Sequence, residues 1–266
     1  MSTATAVAID PKVLVSQALK KVSSIATLPE VTVKILKTVE DPKSSAAQLH
    51  KIVSHDPALV TRILKVVNSS FYGLPGQIAS IERAIVLLGL NAVKNIAVAA
   101  SLGQLFRGVK LCEGFTAKDL WTHCLGVAVT ARDLAKRTKL PLGDEAFLAG
   151  MIHDVGLLVQ LQIAPEQLKS VCEKSKHDLH GFCEIERELI GVDHQQLGVG
   201  LAEIWKFPLS CQLVAGFHHN PEQLSGERAL VSVVHVADCL VSQAKVGFNL
   251  TAERQVIDPA ALDDLK

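Results

Sequence analysis

Seven residues of metal-ligand type are spread through the second half of this 266-residue chain: His123, the tandem pair His153-Asp154, His194, the pair His218-His219, and Asp238. Imidazole nitrogen and carboxylate oxygen, with no thiolate among them, suit a divalent first-row metal. Iron, manganese or zinc is expected, as one ion or two. A histidine offers one nitrogen. An aspartate offers two oxygens and can bridge two ions. Paired ions can clamp a phosphate and lower the pKa of bound water.

The settings of these residues carry unequal weight. Residues 149–156 read Ala-Gly-Met-Ile-His-Asp-Val-Gly. Neighbours on a helix point about 100° apart, so His153 and Asp154 share an ion only if it lies over the helix edge. The flanking glycines allow a second helix to come close. Alone, a His-Asp pair equally fits a capping aspartate beside a packed histidine. His123 lies in Trp121-Thr122-His123-Cys124-Leu125, where a core histidine would also fit. His194 opens a helix after Val192-Asp193, a place that also suits an exposed cap residue. His218-His219 close a helix before Asn220-Pro221, where imidazoles suit the negative helix end. Asp238 is the most informative. It sits inside Val236-Ala237-Asp238-Cys239-Leu240, and a carboxylate on an apolar helical face needs a partner. His235, one turn earlier, reads as its neighbour or as a surface residue. His50, His55, His177 and His180 have polar neighbours and read as structural or solvated. No glycine-rich phosphate cradle, GxSxG elbow or zinc-finger spacing is present.

The elements that must position these residues read as helices. Val31, Val33, Ile35, Leu36 and Val39 form a stripe, with Pro29-Glu30 as the start and Asp41-Pro42 as the stop. Ser44-Ser45 caps a helix to about Ser54. Asp56-Pro57 opens the next, through Val67, and Asn68 to Gly73 is a run of turn formers. Ser80 caps a helix broken by Gly89, and Asn91 is the expected cap of another through Leu102. Residues 107–116 read as irregular, and the domain boundary is placed there. A long helix over 117–139 carries His123. A helix from Glu145 runs into His153-Asp154. Later helices are expected at 165–176, 180–190, 194–206, 209–218 and 228–245. No alternating strand pattern or internal repeat is found, so the fold is all-α, with an N-terminal bundle at 1–110 and a helical domain at 111–266 that carries the candidate metal site.

Bulk properties exclude some roles. With 48% apolar and 20% charged residues, the chain can bury a core and is not a disordered segment. Net charge is zero, so nothing global argues for a nucleic-acid or membrane partner. The charge is unevenly placed, however. Residues 1–110 carry 13 Lys and Arg against 6 Asp and Glu, and residues 111–266 carry 14 against 21. The six cysteines form no CxxC and read as reduced, buried hydrophobes. The first residues lack the basic and apolar regions of a signal peptide. The stretch 81–102 is interrupted by Glu82, Arg83, Asn91, Lys94 and Asn95, which denies it a membrane span. A cytoplasmic protein is expected.

The chain resembles the HDOD family, the HD-related output domains of bacterial signalling, over roughly residues 20–245. The resemblance rests on Leu28-Pro29, Asp56-Pro57-Ala58-Leu59, the run Val67 to Gly73, and Ile81 through Ala84 to Leu87-Leu88-Gly89. It continues in Gly150 to Gly156, Trp205-Lys206-Phe207-Pro208 and His218-His219-Asn220-Pro221. It implies an all-helical bundle packed on an HD-like domain. HD phosphohydrolases, including the branch that hydrolyses cyclic-di-GMP, use a similar order of ligands. By that resemblance His123, His153, Asp154 and Asp238 would hold one metal. His194, His218 and His219, with Asp154 bridging, would hold a second, and Asp154 would be the residue central to any catalysis. The chain departs from the cyclic-di-GMP branch twice. Leu157 stands where that branch has lysine, and Asn220-Pro221-Glu222-Gln223 replaces its Gly-Tyr-Pro segment.

Three functions compete. The first is a regulatory or scaffold module with a signalling protein as partner and a retained metal site. The second is a metal-dependent phosphohydrolase or phosphodiesterase acting on a nucleotide or phosphoester. The third, nucleotide or nucleic-acid binding by the basic N-terminal half, lacks a concentrated basic patch with aromatics and is disfavoured.

Overall fold

Capping residues set the first half. In the computed structural model, which describes residues 10–22, 28–69, 72–106, 110–178, 180–226 and 228–266, α1 spans Pro11–Lys21 and α2 spans Glu30–Glu40. Ser45 and Gln48 form a reciprocal capping box at the start of α3, Ala46–Val53. Asp56 accepts from the Leu59 amide at 2.9 Å and opens α4, Pro57–Val67. Asn68 ends that helix and staples the following loop, accepting from the Ile78 amide at 2.7 Å and donating to the Ile78 carbonyl at 2.8 Å. Ser70 and Phe71, within the expected turn run, lie outside the described residues, as do residues 107–109 at the expected boundary.

Ser80 caps α5, Ile81–Leu88. Asn91 does not cap the next helix. Gly89, at φ +87, turns the chain by itself, so α6 already begins at Leu90 and runs to Leu102. A left-handed turn of this kind favours glycine. Eleven consecutive residues of α6, Ala92 to Leu102, are buried, and α2, α4 and α5 pack round it.

Residues read as irregular contain a short hairpin. β1, Lys110–Cys112, pairs antiparallel with β2, Phe115–Thr116, through Gly114 at φ +85. Only two or three residues pair, too few for an alternating pattern to register. The fold is otherwise helical: α7 Ala117–Arg137, α8 Gly143–Ile152, α9 Gly156–Ile163, α10 Pro165–Ser175, α11 Phe182–Leu189, α12 His194–Ile204, α13 Leu209–Phe217, α14 Ala229–Gln243 and α15 Pro259–Asp263. α1, α9 and α15 were not anticipated.

α7 and α8 form the spine of the second half, with α14 against α7 and α13 against α8. The two halves meet where α6 packs on α8 and where α1 packs on α9 and α12. Asn95 of α6 donates to the Asp144 carbonyl at the start of α8, 2.6 Å away. The helical stretch with the length and composition of a span is Gly143–Ile163, not the stretch 81–102, which Gly89 divides into two helices. By length and composition Gly143–Ile163 could cross a membrane, but 83% of its most apolar 18-residue window is buried inside the fold. Five cysteines are buried and Cys183 is half-buried, all of them free thiols.

Candidate metal centre

His153 and Asp154 do not lie within a helix, as sequence suggested. They occupy the break between α8 and α9, where the Val155 and Leu157 amides bond three residues back, to the carbonyls of Ile152 and Asp154. Gly156 makes the break fit. A Cβ there would sit 1.9 Å from the His194 carbonyl oxygen, so α9 approaches α12 as closely as only glycine allows. Gly150 does the same for α8 against α7, where a Cβ would lie 2.8 Å from the Ala128 Cα.

Five structural positions then converge. α7 brings His123, the α8–α9 break brings His153 and Asp154, and the start of α12 brings His194. The end of α13 brings His218-His219, and α14 brings Asp238. All seven are buried, and His219 is the most accessible at 6%. They fall into two sets of ligand atoms, His123 with His153 and Asp238, and His194 with His218 and His219 around Asp154.

Asp154 faces both sets. Its Oδ2 lies 3.6 Å from His123 Nε2 and 3.4 Å from His153 Nε2. Its Oδ1 lies 3.2 Å from His194 Nε2 and 3.4 Å from His218 Nε2. Asp238 Oδ1 is 3.1 Å from His123 Nε2. The imidazoles approach one another equally closely: 3.3 Å for His123 and His153, 3.0 Å for His194 and His219, and 3.4 Å for His194 and His218, all between Nε2 atoms.

Outer partners fix which nitrogen faces inward. His153 Nδ1–H donates to the Gly150 carbonyl at 2.8 Å and His218 Nδ1–H to the Val214 carbonyl at 3.0 Å. His194 Nδ1–H donates to Glu186 at 2.7 Å, and His219 Nδ1–H to Gln255 at 2.6 Å. With these protons placed, four Nε2 lone pairs point into the cluster. Neither oxygen of Asp154 and not Oδ2 of Asp238 has a hydrogen-bond donor. Lone pairs crowded at 3.0–3.6 Å repel unless a cation or protons lie between them. Ligands about 2.1 Å from a shared ion stand about 3.0–3.4 Å apart at octahedral or tetrahedral angles. The residues therefore fit a divalent metal.

Electrostatics agree. Burial opposes ionisation of Asp154, but the surrounding histidines His153, His194 and His218 outweigh it and hold the carboxyl well below its usual range. The same balance, with His123 foremost among the histidines, lowers Asp238. Burial opposes protonation of His194, but Glu186 and Asp154 raise it well above the ordinary value, whereas burial pulls His218 and His219 down.

Sequence reasoning missed two residues of this centre. Glu186 is fully buried and orients His194. Its signal was legible: Phe182, Ile185, Glu186 and Leu189 share one helical stripe, so an acid interrupts an apolar face. Gln255 sits outside the helices, and no pattern marks it. It accepts from His219 Nδ1–H and donates to the His219 carbonyl at 2.6 Å. His235 is buried but stands apart from the cluster. Its Nδ1–H donates to the His218 carbonyl at 2.7 Å, and its Nε2 accepts from the Asp258 amide at 3.0 Å. His50, His55, His177 and His180 are exposed or rimmed by polar partners, as read.

A family profile described as the HDOD domain matches residues 25–221. This chain belongs to the HDOD family. The match ends before α14, so the position of Asp238 beside His123 is a contribution of the geometry. An uncharacterized protein of Treponema pallidum (strain Nichols) is 26% identical over 227 residues, covering 83% of this chain and 43% of its own length. The chain thus spans under half of that relative. An HDOD domain protein of unknown function from Geobacter sulfurreducens superposes with a TM-score of 0.82 at 24% identity, over 95% of this chain and 84% of that one. A candidate phosphohydrolase from Shewanella amazonensis SB2B gives 0.74 at 24% identity, over 95% and 93%. These likenesses establish the helical HDOD fold.

Proposed function

We propose that this protein is a regulatory HDOD module organised round a closed metal centre, acting on a signalling protein partner. The enclosure of the cluster carries this reading. Six of its seven residues are at most 1% exposed, and Gln255 grips the seventh, His219, by both ring and carbonyl. Leu157, standing where the catalytic branch has lysine, is wholly buried in the hydrophobic core, so it supplies no charge to a substrate. His123, His153, Asp154 and Asp238 would hold one ion. His194, His218 and His219 would hold another across Asp154, with iron, manganese or zinc as the metal. Held this way, an ion joins α7, α8, α12, α13 and α14, the helices whose arrangement a signal must change. We retain the division into 1–110 and 111–266 and a cytoplasmic location as parts of this reading.

A second reading, a metal-dependent phosphohydrolase, is favoured by one observation. A cavity of about 390 Å³ reaches His219 and is walled by Lys176, Arg187 and Arg254. A bound metal would supply an activated water and charge neutralisation. The chain's own contribution would be the basic wall, which could orient a phosphoester.

One experiment separates the two. Protein purified without chelator is analysed for metal and assayed on bis(p-nitrophenyl) phosphate and cyclic-di-GMP, with Asp154→Ala as control. The regulatory reading expects close to one equivalent of metal or more and little turnover, because loss of a charge-stabilising contact costs about 100- to 1000-fold. Turnover of about 1 per second or faster, abolished by Asp154→Ala, would establish the enzyme. Less than about a tenth of an equivalent after reconstitution would remove the metal from both readings.

A further inference from the structure

A second cavity, of about 670 Å³, opens between the two halves of the molecule, away from the His/Asp cluster. Its walls include Tyr72, Lys94 and Asn95 from the first half and Arg132, Lys136 and Asp144 from the second. Its size matches sites for ligands of nucleotide scale.

Three features ask for a ligand. Lys94 is 2% exposed, yet its ammonium donates only to the Ser44 hydroxyl. Among the described residues no carboxylate pairs with it. A buried ammonium without an anion is costly. Burial draws its pKa down, and Asp41 offsets part of that. The second feature is Asn95. Its amide nitrogen is used by Asp144, while its buried Oδ1 has no donor. The third is the state of the other charges. Asp144 faces Arg132 at 3.6 Å, and Asp133, also on the wall, is held by Arg137 at 2.6 Å. The Arg132 guanidinium lies 4.9 Å over the Tyr72 ring. The acids Asp133 and Asp144 are engaged, Glu145 stands exposed at the start of α8, and Lys94 and Lys136 have no ion-pair partner among the described residues.

We propose that this inter-half cavity binds a phosphorylated small molecule, its phosphate on Lys94 and Lys136 and a hydroxyl or N–H of its body on Asn95 Oδ1. Lysine holds phosphate as a point charge, which suits two uncommitted ammonium groups. The empty acceptor on Asn95 offers the body of an ester a contact additional to the two ammonium groups. Such a ligand would touch α6 and α7 and the first turn of α8, the helix that ends at His153-Asp154.

The test uses the full chain stripped of metal by chelator, so that the His/Asp cluster offers phosphate no cation. A purine nucleoside monophosphate, a hexose phosphate and inorganic phosphate are titrated by calorimetry and thermal shift. One of the two esters is expected to bind more tightly than inorganic phosphate, and which one does identifies the source. Lys94→Met should weaken that binding by about tenfold or more, the scale of one hydrogen bond to a charged group. Arg254→Ala, at the other cavity, should leave it unchanged. Should Lys94→Met fail to fold, Lys136→Gln on the exposed α7 surface gives the same readout, with weakened binding expected. The proposal is overturned if neither ester binds at about 10 mM, if inorganic phosphate binds as well as both, if folded Lys94→Met or Lys136→Gln binds like the parent, or if Arg254→Ala abolishes binding.

Discussion

Glu186 holds His194 twice, its Oε2 accepting from the ring Nδ1–H at 2.7 Å and from the backbone amide at 3.2 Å. The double grip fixes the tautomer and the rotamer together, leaving Nε2 free to face Asp154. Carboxylates behind ligating histidines commonly set ligand basicity in this way. Glu186→Gln should therefore lower metal affinity by about 10- to 100-fold while leaving helix content intact. Competition with a calibrated chelator measures it, and equal affinity would show that Glu186 merely fills space.

Asp238→Ala removes a buried carboxylate that faces His123. A metal present at about 100 times its dissociation constant stabilises a fold by about 2.7 kcal/mol. The parent should accordingly melt lower after chelation, and the variant should show a smaller chelator response, since Asp238 belongs to only one of the two ligand sets. A variant that keeps the full chelator response would place Asp238 outside the centre.

Gly156→Ala puts a methyl against the His194 carbonyl, backbone that has no room to retreat. Overpacking of this sort should cost about 3 kcal/mol or more, read as a lower urea midpoint. Since α9 is pushed from α12, His194 should also be displaced, and metal uptake should fall with stability. A Gly156→Ala protein as stable as the parent would contradict the close approach.

Asp264 gives a pH prediction away from the metal. Burial opposes its ionisation, but Arg228, at 2.7 and 3.2 Å, and the Ser232 hydroxyl, at 2.6 Å, outweigh that and lower its pKa below 3.8. The folded state then binds fewer protons than the unfolded chain. Its contribution is complete above about 3.8 and is lost as pH falls through the lower folded value. Melting followed from pH 6 to 3 should show a steeper acid loss in the parent than in Asp264→Asn, and parallel curves would dismiss the contribution.

Much of this arrangement could be read from residue types because local chemistry decided it. Asp56-Pro57, Ser80 and Gly89 act on their own helix ends and need no tertiary contact. The convergence of His123, His153, Asp154, His194, His218, His219 and Asp238 was foreshadowed by Asp238, an acid set within the apolar run Val236 to Leu240. What escaped depended on packing between distant segments. The break at His153 follows from Gly156 meeting His194. Gln255 reaches His219 from a segment without regular structure. Asn91 was misread because the turn at Gly89 left no residue for it to cap.

The apolar segment Gly143–Ile163 is long enough to span a bilayer, and it leaves the ribosome before α12, α13 and α14, which complete the cover begun by α6 and α7. His153 and Asp154 stand at its midpoint. An aspartate at the centre of an inserting helix costs about 2.5–3.5 kcal/mol on the translocon scale. The pair placed at the heart of the cluster therefore also raises the cost of inserting this segment into a bilayer before the fold is complete.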